Sequence, residues 1–300
     1  MSGYTSVATY CLVVRLRTKK TILVEGVSDK KLLSHFILKR NYVDNVSADY
    51  CIDDASLIND AGLTGVGARD VVKNVYENLN SENFRCLVDR EWDGLNAESF
   101  EYEPIHYPDH VFVTRGHSIE NYWFTPESLI EFMIHTHSAI VREGFLRRVH
   151  SHYISILQFS AAYSLACRDL SIIARATDML SSEDIVLNDE TFTASACLDD
   201  KISARGRSCN LHEATNMLLS VTRQFERDKL QWVCHGHLGE QAIRACIGSL
   251  ARSEGYDSAS VESIEYGFKV EKFKLDSDHV AQLPEELTTP LNVVLGWVRS

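Results

Sequence analysis

The sequence lacks an apolar run long enough to cross a membrane. A spanning helix takes roughly 20 consecutive apolar residues, and no stretch of the 300 residues approaches that length. The short apolar patch at residues 8–14 is followed, not preceded, by positive charges, an order that does not fit a secretory signal peptide. These absences predict a soluble protein of the cytoplasm that does not associate with membranes.

Paired cysteines are also missing. The eight cysteines contain no C-x-x-C pair, so neither a disulfide framework nor a cysteine-rich zinc site is indicated. We expect these cysteines to be reduced and mostly buried as small apolar groups. They are Cys11, Cys51, Cys86, Cys167, Cys197, Cys209, Cys234 and Cys246.

Positive charge is scarce. The chain has 30 Lys and Arg against 42 Asp and Glu, a net charge of −12, which argues against a broad, nonspecific grip on a nucleic-acid backbone. The basic runs at residues 15–20 and 142–150 are candidates for a local basic lining. An ordinary solvated helix face explains either run about as well.

The chain has no phosphate loop. Gly65-Val66-Gly67 lacks the third glycine and the lysine of such loops. The apolar residues that follow, between residues 68 and 79, have helical spacing, so we interpret the glycines as the start of a helix. Any dependence on ATP would then come from a partner.

What the chain does contain is an acidic stretch, Asp89-Arg90-Glu91-Trp92-Asp93-Gly94, directly after a strand predicted at residues 84–88. If the backbone stays extended, the two-residue period of a strand points Asp89, Glu91 and Asp93 to one side. Crowded carboxylates are tolerated when they are solvated, partly protonated or neutralised by a cation. On this stretch alone, a solvated loop and a metal site are both open.

Strands and helices alternate through the first part of the chain, which predicts an α/β fold with a mostly parallel sheet. Glu25 directly follows the first strand, Ser28 is the expected N-cap of the next helix, and Asp29 lies in its first turn. A carboxylate at the C-terminal end of a strand lies where open α/β sheets place their ligands. The other strands are predicted at residues 21–24, 43–51 and 110–114.

Several other polar residues have two open interpretations. Asp53 and Asp54 would form the exit of the second strand, where a solvated turn is favoured over a site. Glu120 has core-like neighbours. It is either a buried structural carboxylate that pairs with Arg115 or caps a helix, or a catalytic residue, and the sequence favours neither. His237, in a His-Gly-His segment taken as extended, is either a surface histidine, the favoured interpretation, or an acid or phosphate contact.

From about residue 126 the pattern becomes mainly helical. We expect an irregular acidic segment at residues 181–208 and short strands within 261–270 and 293–298. The chain should therefore form two domains, at residues 1–125 and 126–300. The helices predicted in the second are one that starts near Thr125, one over 154–180 and one over 211–225.

Glu25-Gly26 after the first strand, followed by Asp89 to Gly94 after the third, resembles the Toprim fold over about the first 125 residues. That family places a glutamate after its first strand and a D-x-D, often with a third acid and a glycine, after a later one. Glu91 stands where an aspartate is usual. The carboxylate is kept, but its distance from a bound metal should differ slightly. The resemblance implies Mg²⁺, or Mn²⁺, held by Glu25, Asp89, Glu91 and Asp93, with the first three carrying the catalysis.

Residues 24–29, 65–70 and 117–122 together resemble Toprim nucleases of the AriB type, the effector subunits of the PARIS antiphage defence system. This resemblance implies a toxic endoribonuclease that cleaves tRNA and is restrained by an ABC-type, AriA-like ATPase partner until infection. It further implies a homodimer in the active state. Asp29, Glu120 and His237 are the auxiliary candidates in the site.

Other functions stay open. One is a Toprim DNA nickase or nuclease of the overcoming-lysogenisation-defect type, and another is a catalytically idle subunit that only binds an ATPase. Tyr10 and Tyr122 raise the question of a topoisomerase, in which a tyrosine is the nucleophile. A chain of 300 residues with a net charge of −12 has little room for the strand-gripping domains that such an enzyme needs.

Overall fold

A computed structural model of the protein describes the backbone of residues 3–271 and 278–300 and the side chains of 3–267 and 278–300. The fold is α/β, as predicted. The strands are β1 (Lys20–Val24), β2 (Tyr50–Asp54), β3 (Phe84–Val88), β4 (Val111–Val113), β5 (Ile185–Asn188) and β6 (Thr191–Ala194). The α-helices of the described residues are α1 (Val7–Leu16), α2 (Val27–Val43), α3 (Ala68–Asn78), α4 (Pro126–His137), α5 (Glu143–Asp169), α6 (Ile173–Ala176), α7 (Cys197–Ala204), α8 (Leu211–Thr222), α9 (Arg227–Val233), α10 (Gly236–Ser253), α11 (Ser258–Glu271), α12 (His279–Gln282), α13 (Glu285–Thr288) and α14 (Leu291–Arg299).

The chain divides into two compact units. The first contains Met1–Gly94, Pro104–Ile119 and Val280–Ser300, and the second contains Leu95–Glu103 and Glu120–His279. The predicted domains, a catalytic one at residues 1–125 and a helical one at residues 126–300, stay a prediction.

The first unit is built on a four-stranded parallel sheet in the order β2-β1-β3-β4. The strands predicted at residues 21–24, 84–88 and 110–114 are confirmed within a residue or so at each end. Most residues of β1 and β3 are buried, as is usual for parallel strands, whereas only Val111 is buried in β4. Because the strands are parallel, the carboxyl ends of β1, β3 and β4 lie at one edge of the sheet.

The prediction for the second strand was wrong. Residues up to Val43 continue helix α2, and β2 begins only at Tyr50. The helix extends because Leu32, Leu33, Phe36 and Ile37 give it a continuous buried face. Its N-cap is Gly26, not Ser28 as predicted, although Asp29 does lie in the first turn.

Asp53 and Asp54 lie inside β2 and are buried, so the expected solvated turn was also wrong. Asp53 Oδ2 accepts hydrogen bonds from Arg17 Nη1 at 2.6 Å and from the Tyr10 hydroxyl at 3.1 Å. Asp54 pairs with Lys30 at 3.3 Å. Burial of a carboxylate is tolerated because such partners replace its water.

The basic runs form local ion pairs. Besides Arg17, the first run includes Lys19, which pairs with Asp49 at 2.7 Å. In the second run Arg147 pairs with Glu143 at 2.7 Å. Lys19 and Arg147 thus lie on solvated faces, whereas Arg17 belongs to the buried pair with Asp53, and neither arrangement favours a basic lining.

The second unit is mainly helical, as predicted, with α5 packed against α8 and α10. The helix predicted over 154–180 instead starts at Glu143 and ends at Asp169. It stops there because Ser171 adopts the left-handed φ of 54°, which breaks the helical path before α6. The helix starting after Thr125 is confirmed, and the helix predicted over 211–225 ends slightly earlier, at Thr222.

Residues 181–208 are more regular than expected. They contain the antiparallel hairpin of β5 and β6, which turns at Asp189 with a φ of 53°, and helix α7. The strands predicted within 261–270 and 293–298 are helices α11 and α14. Buried apolar residues recur three and four positions apart in α14, a helical period that the short apolar runs concealed.

Five cysteines are buried, two are partly buried and Cys197 is exposed, and all are free thiols, as expected. Among the described residues no helix combines the length and apolar character that crossing a membrane requires.

Replacing Asp53 with alanine should destabilise the first unit by about 3 kcal/mol, because it leaves the charge of Arg17 and the hydroxyl of Tyr10 buried without their shared acceptor. Urea unfolding measures the change. Asp49→Ala is the matched control, since both members of its ion pair with Lys19 are more than half exposed, and we expect no measurable effect there. Equal midpoints for the two variants would contradict the structural role of Asp53.

Candidate metal site

The pairing of β1 with β3 brings together two carboxylates that are 64 residues apart in the chain. Glu25 follows the last residue of β1, and Asp89 follows the last residue of β3. The backbone N–H of Asp89 donates a hydrogen bond of 3.0 Å to Glu25 Oε1. This hydrogen bond ties the residue that follows β1 to the residue that follows β3.

The loop after β3 is also held by the segment after β4. Asp89 Oδ1 accepts a hydrogen bond of 3.0 Å from the backbone N–H of Ile119. The N–H of Arg90 donates to Thr114 Oγ1 at 2.9 Å, and the N–H of Glu91 donates to the carbonyl oxygen of His117 at 2.6 Å. These bonds fix the direction of the Asp89 side chain.

Asp29 and Glu120 complete a group of three carboxylates with Asp89. Asp29 lies in the first turn of α2, where one of its oxygens accepts the Gly26 N–H at 2.7 Å. Glu120 is the residue next to Ile119 in the short 3₁₀ helix Ile119–Trp123. One oxygen from each of Asp29, Asp89 and Glu120 lies within 4.8 Å of the others.

This donor set fits a hard divalent cation. Mg²⁺ and Mn²⁺ prefer carboxylate oxygens and water, and they are commonly held by one or two carboxylates while substrate phosphate completes the shell. Three such oxygens converge here at the carboxyl edge of a parallel sheet. The cluster can therefore hold a metal ion.

Glu25 has a raised affinity for protons. Burial raises its pKa to about 7, against opposing effects of the Asp89 N–H and of Arg69, while the nearby charges of Glu91 and Asp70 raise it further. A carboxyl group with a pKa near neutrality is present in both protonation states at pH 7. Such a group is suited to accept or donate a proton under those conditions.

The acidic stretch is a turn, so the condition under which Asp89, Glu91 and Asp93 would point to one side is not met. Glu91 has a φ of 56° and Gly94 a φ of 73°, which ends the alternation of side chains that a strand would give. Arg69 of α3 donates to Glu91 Oε2 at 2.8 Å and to Asp93 Oδ2 at 2.5 Å. That Glu91 and Asp93 ligate a metal stays a prediction.

The His-Gly-His segment is not extended, contrary to expectation. His235 is the N-cap of α10, and its Nδ1 accepts the Leu238 N–H at 3.4 Å. Burial lowers the pKa of His235 to about 4, so this ring is neutral at pH 7. His237 is 60% exposed, with Nδ1 3.9 Å from Oε1 of the buried Glu120.

The tyrosines that raised the question of a topoisomerase are both buried. Tyr10 is 0% exposed and Tyr122 is 1% exposed. The Tyr10 hydroxyl donates to Asp53, which commits it to the interior of the first unit. Neither tyrosine is placed to attack a phosphodiester.

Arg69 is the site residue that the sequence analysis missed. It lies in the first turn of α3, where the helix dipole disfavours a positive charge. A cation in that position is a signal that nearby carboxylates compensate for the unfavourable placement. The partners themselves could not be read from the sequence, since they lie 22 and 24 residues further along the chain.

The raised pKa of Glu25 predicts a pH dependence of stability. The folded protein binds the proton with a pKa of about 7, against an ordinary value of 4.5, so the free energy of unfolding falls as pH rises through that window. Glu25→Gln should remove this fall, making the variant more stable than the wild type at pH 8 by on the order of 2 kcal/mol. Urea unfolding between pH 4.5 and 8, in EDTA, measures it. Parallel profiles for the two proteins would show that Glu25 titrates normally.

Comparison with known proteins identifies no family for the chain. It matches no protein-family model and no curated protein. The geometry of the carboxylates is therefore the basis on which a function can be inferred.

Proposed function

We propose that the protein is a metal-dependent Toprim nuclease that cleaves RNA, with tRNA as the expected substrate. One observation carries this proposal: Asp29, Asp89 and Glu120 converge at the carboxyl edge of the parallel sheet, beside Glu25. A Toprim nuclease requires carboxylates after two strands of such a sheet, and the proposal is supported by Glu25, which follows β1, and Asp89, which follows β3. The Toprim-like arrangement of the first unit is part of the proposal.

The residues have separate parts in hydrolysis. Asp29, Asp89 and Glu120 would hold Mg²⁺ or Mn²⁺, which when bound screens the charge that builds on the phosphoryl oxygens and the leaving group. Glu25, with a pKa of about 7, can take the proton from the attacking water. The Asp89 N–H holds the Glu25 carboxylate in place, and the Ile119 N–H does the same for Asp89.

The biological setting rests on the resemblance to AriB-type nucleases. It suggests that the protein is the toxic effector of an antiphage defence system, restrained by an AriA-like ATPase and dimeric when active. The absence of a phosphate loop supports a division of labour in which a partner binds ATP. Glu120 and His237 lie within 3.9 Å of each other, which supports an auxiliary role for the pair.

A second candidate function is a binding subunit without catalysis. The observation that favours it is the engagement of Glu91 and Asp93 by Arg69. Two of the four carboxylates expected as ligands thus have a cation of the protein itself as partner. Such a subunit would keep the fold and dock on an ATPase without binding Mg²⁺ or Mn²⁺.

Asp89→Asn and Glu25→Gln should each lower the rate of tRNA cleavage by about 100-fold or more, because one removes a metal ligand and the other a proton acceptor. Purified protein is incubated with total tRNA and, separately, with supercoiled plasmid, in Mg²⁺ and in Mn²⁺. Asp49→Asn, at an exposed carboxylate of the same unit, should cleave like the wild type.

The substrate pair decides among the candidates. Cleavage of tRNA supports the proposed endoribonuclease, whereas nicking of plasmid alone would replace it with the DNA enzyme. Failure to cut either substrate, with the ATPase removed, would favour the idle subunit. Unchanged cleavage by Asp89→Asn would contradict the proposed site.

Titration with Mn²⁺ should show which carboxylates bind the metal: Asp29, Asp89 and Glu120, or Glu91 and Asp93. Asp29→Asn and Asp89→Asn should weaken binding by about 10- to 100-fold, whereas Asp93→Asn should change it little, because Arg69 already engages that carboxylate. Isothermal titration calorimetry measures the affinities. A larger loss from Asp93→Asn than from Asp29→Asn would show that the metal lies on the Glu91 and Asp93 side.

A further inference from the structure

A cavity of about 330 Å³ opens in the first unit between α3 and the turn that follows β3. Its lining includes Arg69, Asp70, Lys73, Tyr76, Asp93 and Tyr107. We propose that this cavity binds a single nucleotide of a single-stranded nucleic acid, next to the phosphodiester that is cut. This inference rests on the proposed function and assigns a binding site for its substrate.

Lys73 is the residue best placed to contact a phosphate. It lies four residues after Arg69 on α3, so both cations are on one face of the helix. Its ion pair with Glu77 is long, 3.9 Å, and both side chains are more than half exposed. Water and salt weaken such a pair, so a phosphate can replace Glu77 at little cost.

Tyr76 and Tyr107 supply surfaces for a base. Both are partly buried against the core of the first unit, and Arg69 Nη2 donates to the Tyr107 hydroxyl at 3.3 Å. Rings held in this way lose little freedom when a base stacks on them. Stacking on aromatic side chains is a general way in which proteins bind single-stranded nucleic acids.

A carboxylate of the lining sets the direction of the nucleotide. Asp93, in the turn on the other side of the cavity from α3, repels a phosphate and can accept a hydrogen bond from the exocyclic amino group of a base. The base should therefore point to Asp93 and the phosphate to Lys73. Adenine and cytosine, which present such an amino group, should bind better than uracil.

The position and size of the cavity agree with this use. Val88 lines it, and the next residue is Asp89 of the metal site. A volume of about 330 Å³ lies at the lower end of the range for ligand pockets. It suits one nucleotide and excludes a duplex, in accord with the way proteins recognise unpaired loops of RNA.

Binding is tested without cleavage by fluorescence anisotropy with labelled oligoadenylate and oligouridylate in EDTA. Tyr107→Leu should weaken binding of oligoadenylate by on the order of 5- to 150-fold, whereas Tyr107→Phe, which keeps the ring, should stay within about 2-fold of wild type. Lys73→Ala should weaken binding and lower the slope of log affinity against log salt by about 0.7. Lys19→Ala, at an exposed lysine that pairs with Asp49, should match the wild type.

Several outcomes would overturn the inference: no binding of oligoadenylate by the wild type, equal affinity for both oligonucleotides, or wild-type binding by both Lys73→Ala and Tyr107→Leu. Circular dichroism confirms that each variant is folded, and Lys73→Ala, at an exposed position, keeps the test open if Tyr107→Leu does not fold. If the cavity variants bind more weakly but Asp89→Asn cleaves tRNA like the wild type, the nucleotide-binding cavity is supported and the nuclease site is refuted. If Asp89→Asn loses cleavage but the cavity variants bind like the wild type, the nuclease site is supported and the nucleotide-binding cavity is refuted.

Discussion

The parallel pairing of β1 with β3 is the constraint on which the candidate site depends. It places the residues that follow the two strands at one edge of the sheet, and the hydrogen bond from the Asp89 N–H to Glu25 joins them there. Strand pairing positions these residues through backbone hydrogen bonds, so the placement does not rely on side-chain packing alone. The N–H of Ile119 then orients Asp89 from the segment after β4. The N–H groups of Asp89 and Ile119 thus hold the carboxylates of Glu25 and Asp89, which would otherwise repel their acidic neighbours.

Electrostatics divides the acidic residues of this edge into two groups. Asp29, Asp89 and Glu120 each place an oxygen within 4.8 Å of the others, whereas Glu91 and Asp93 share an ion pair with Arg69. Glu25 lies near both groups, and its burial raises its pKa to about 7. Carboxylates this close together are stabilised by water, by protons or by cations, and the protein supplies an arginine for one group. For the other, a divalent cation would serve the same purpose.

Much of the first unit could be predicted from local patterns. Apolar runs at β1, β3 and β4 and the helical spacing in α2 and α3 identified their elements, because burial of these side chains dominates over other preferences. The second strand could not be placed, since Asp53 and Asp54 are charged residues that β2 accommodates through partners distant in the chain, Arg17, Tyr10 and Lys30. The short runs in α11 and α14 could not be told from strands by periodicity, since each is too brief. Contacts made by distant residues decided these cases.

For the candidate site, the sequence by itself determined that carboxylates follow the first and third strands and that no phosphate loop accompanies them. Glu25, Asp89 and the first-turn position of Asp29 follow from strand and helix patterns alone. Only the tertiary structure decided which carboxylates meet. The positive φ of Glu91 turns the acidic stretch away from the extended form, and Arg69 draws Glu91 and Asp93 to α3. The physical reason is that backbone turns and long-range ion pairs are fixed by residues far apart in the chain, whereas strand and helix periods are local.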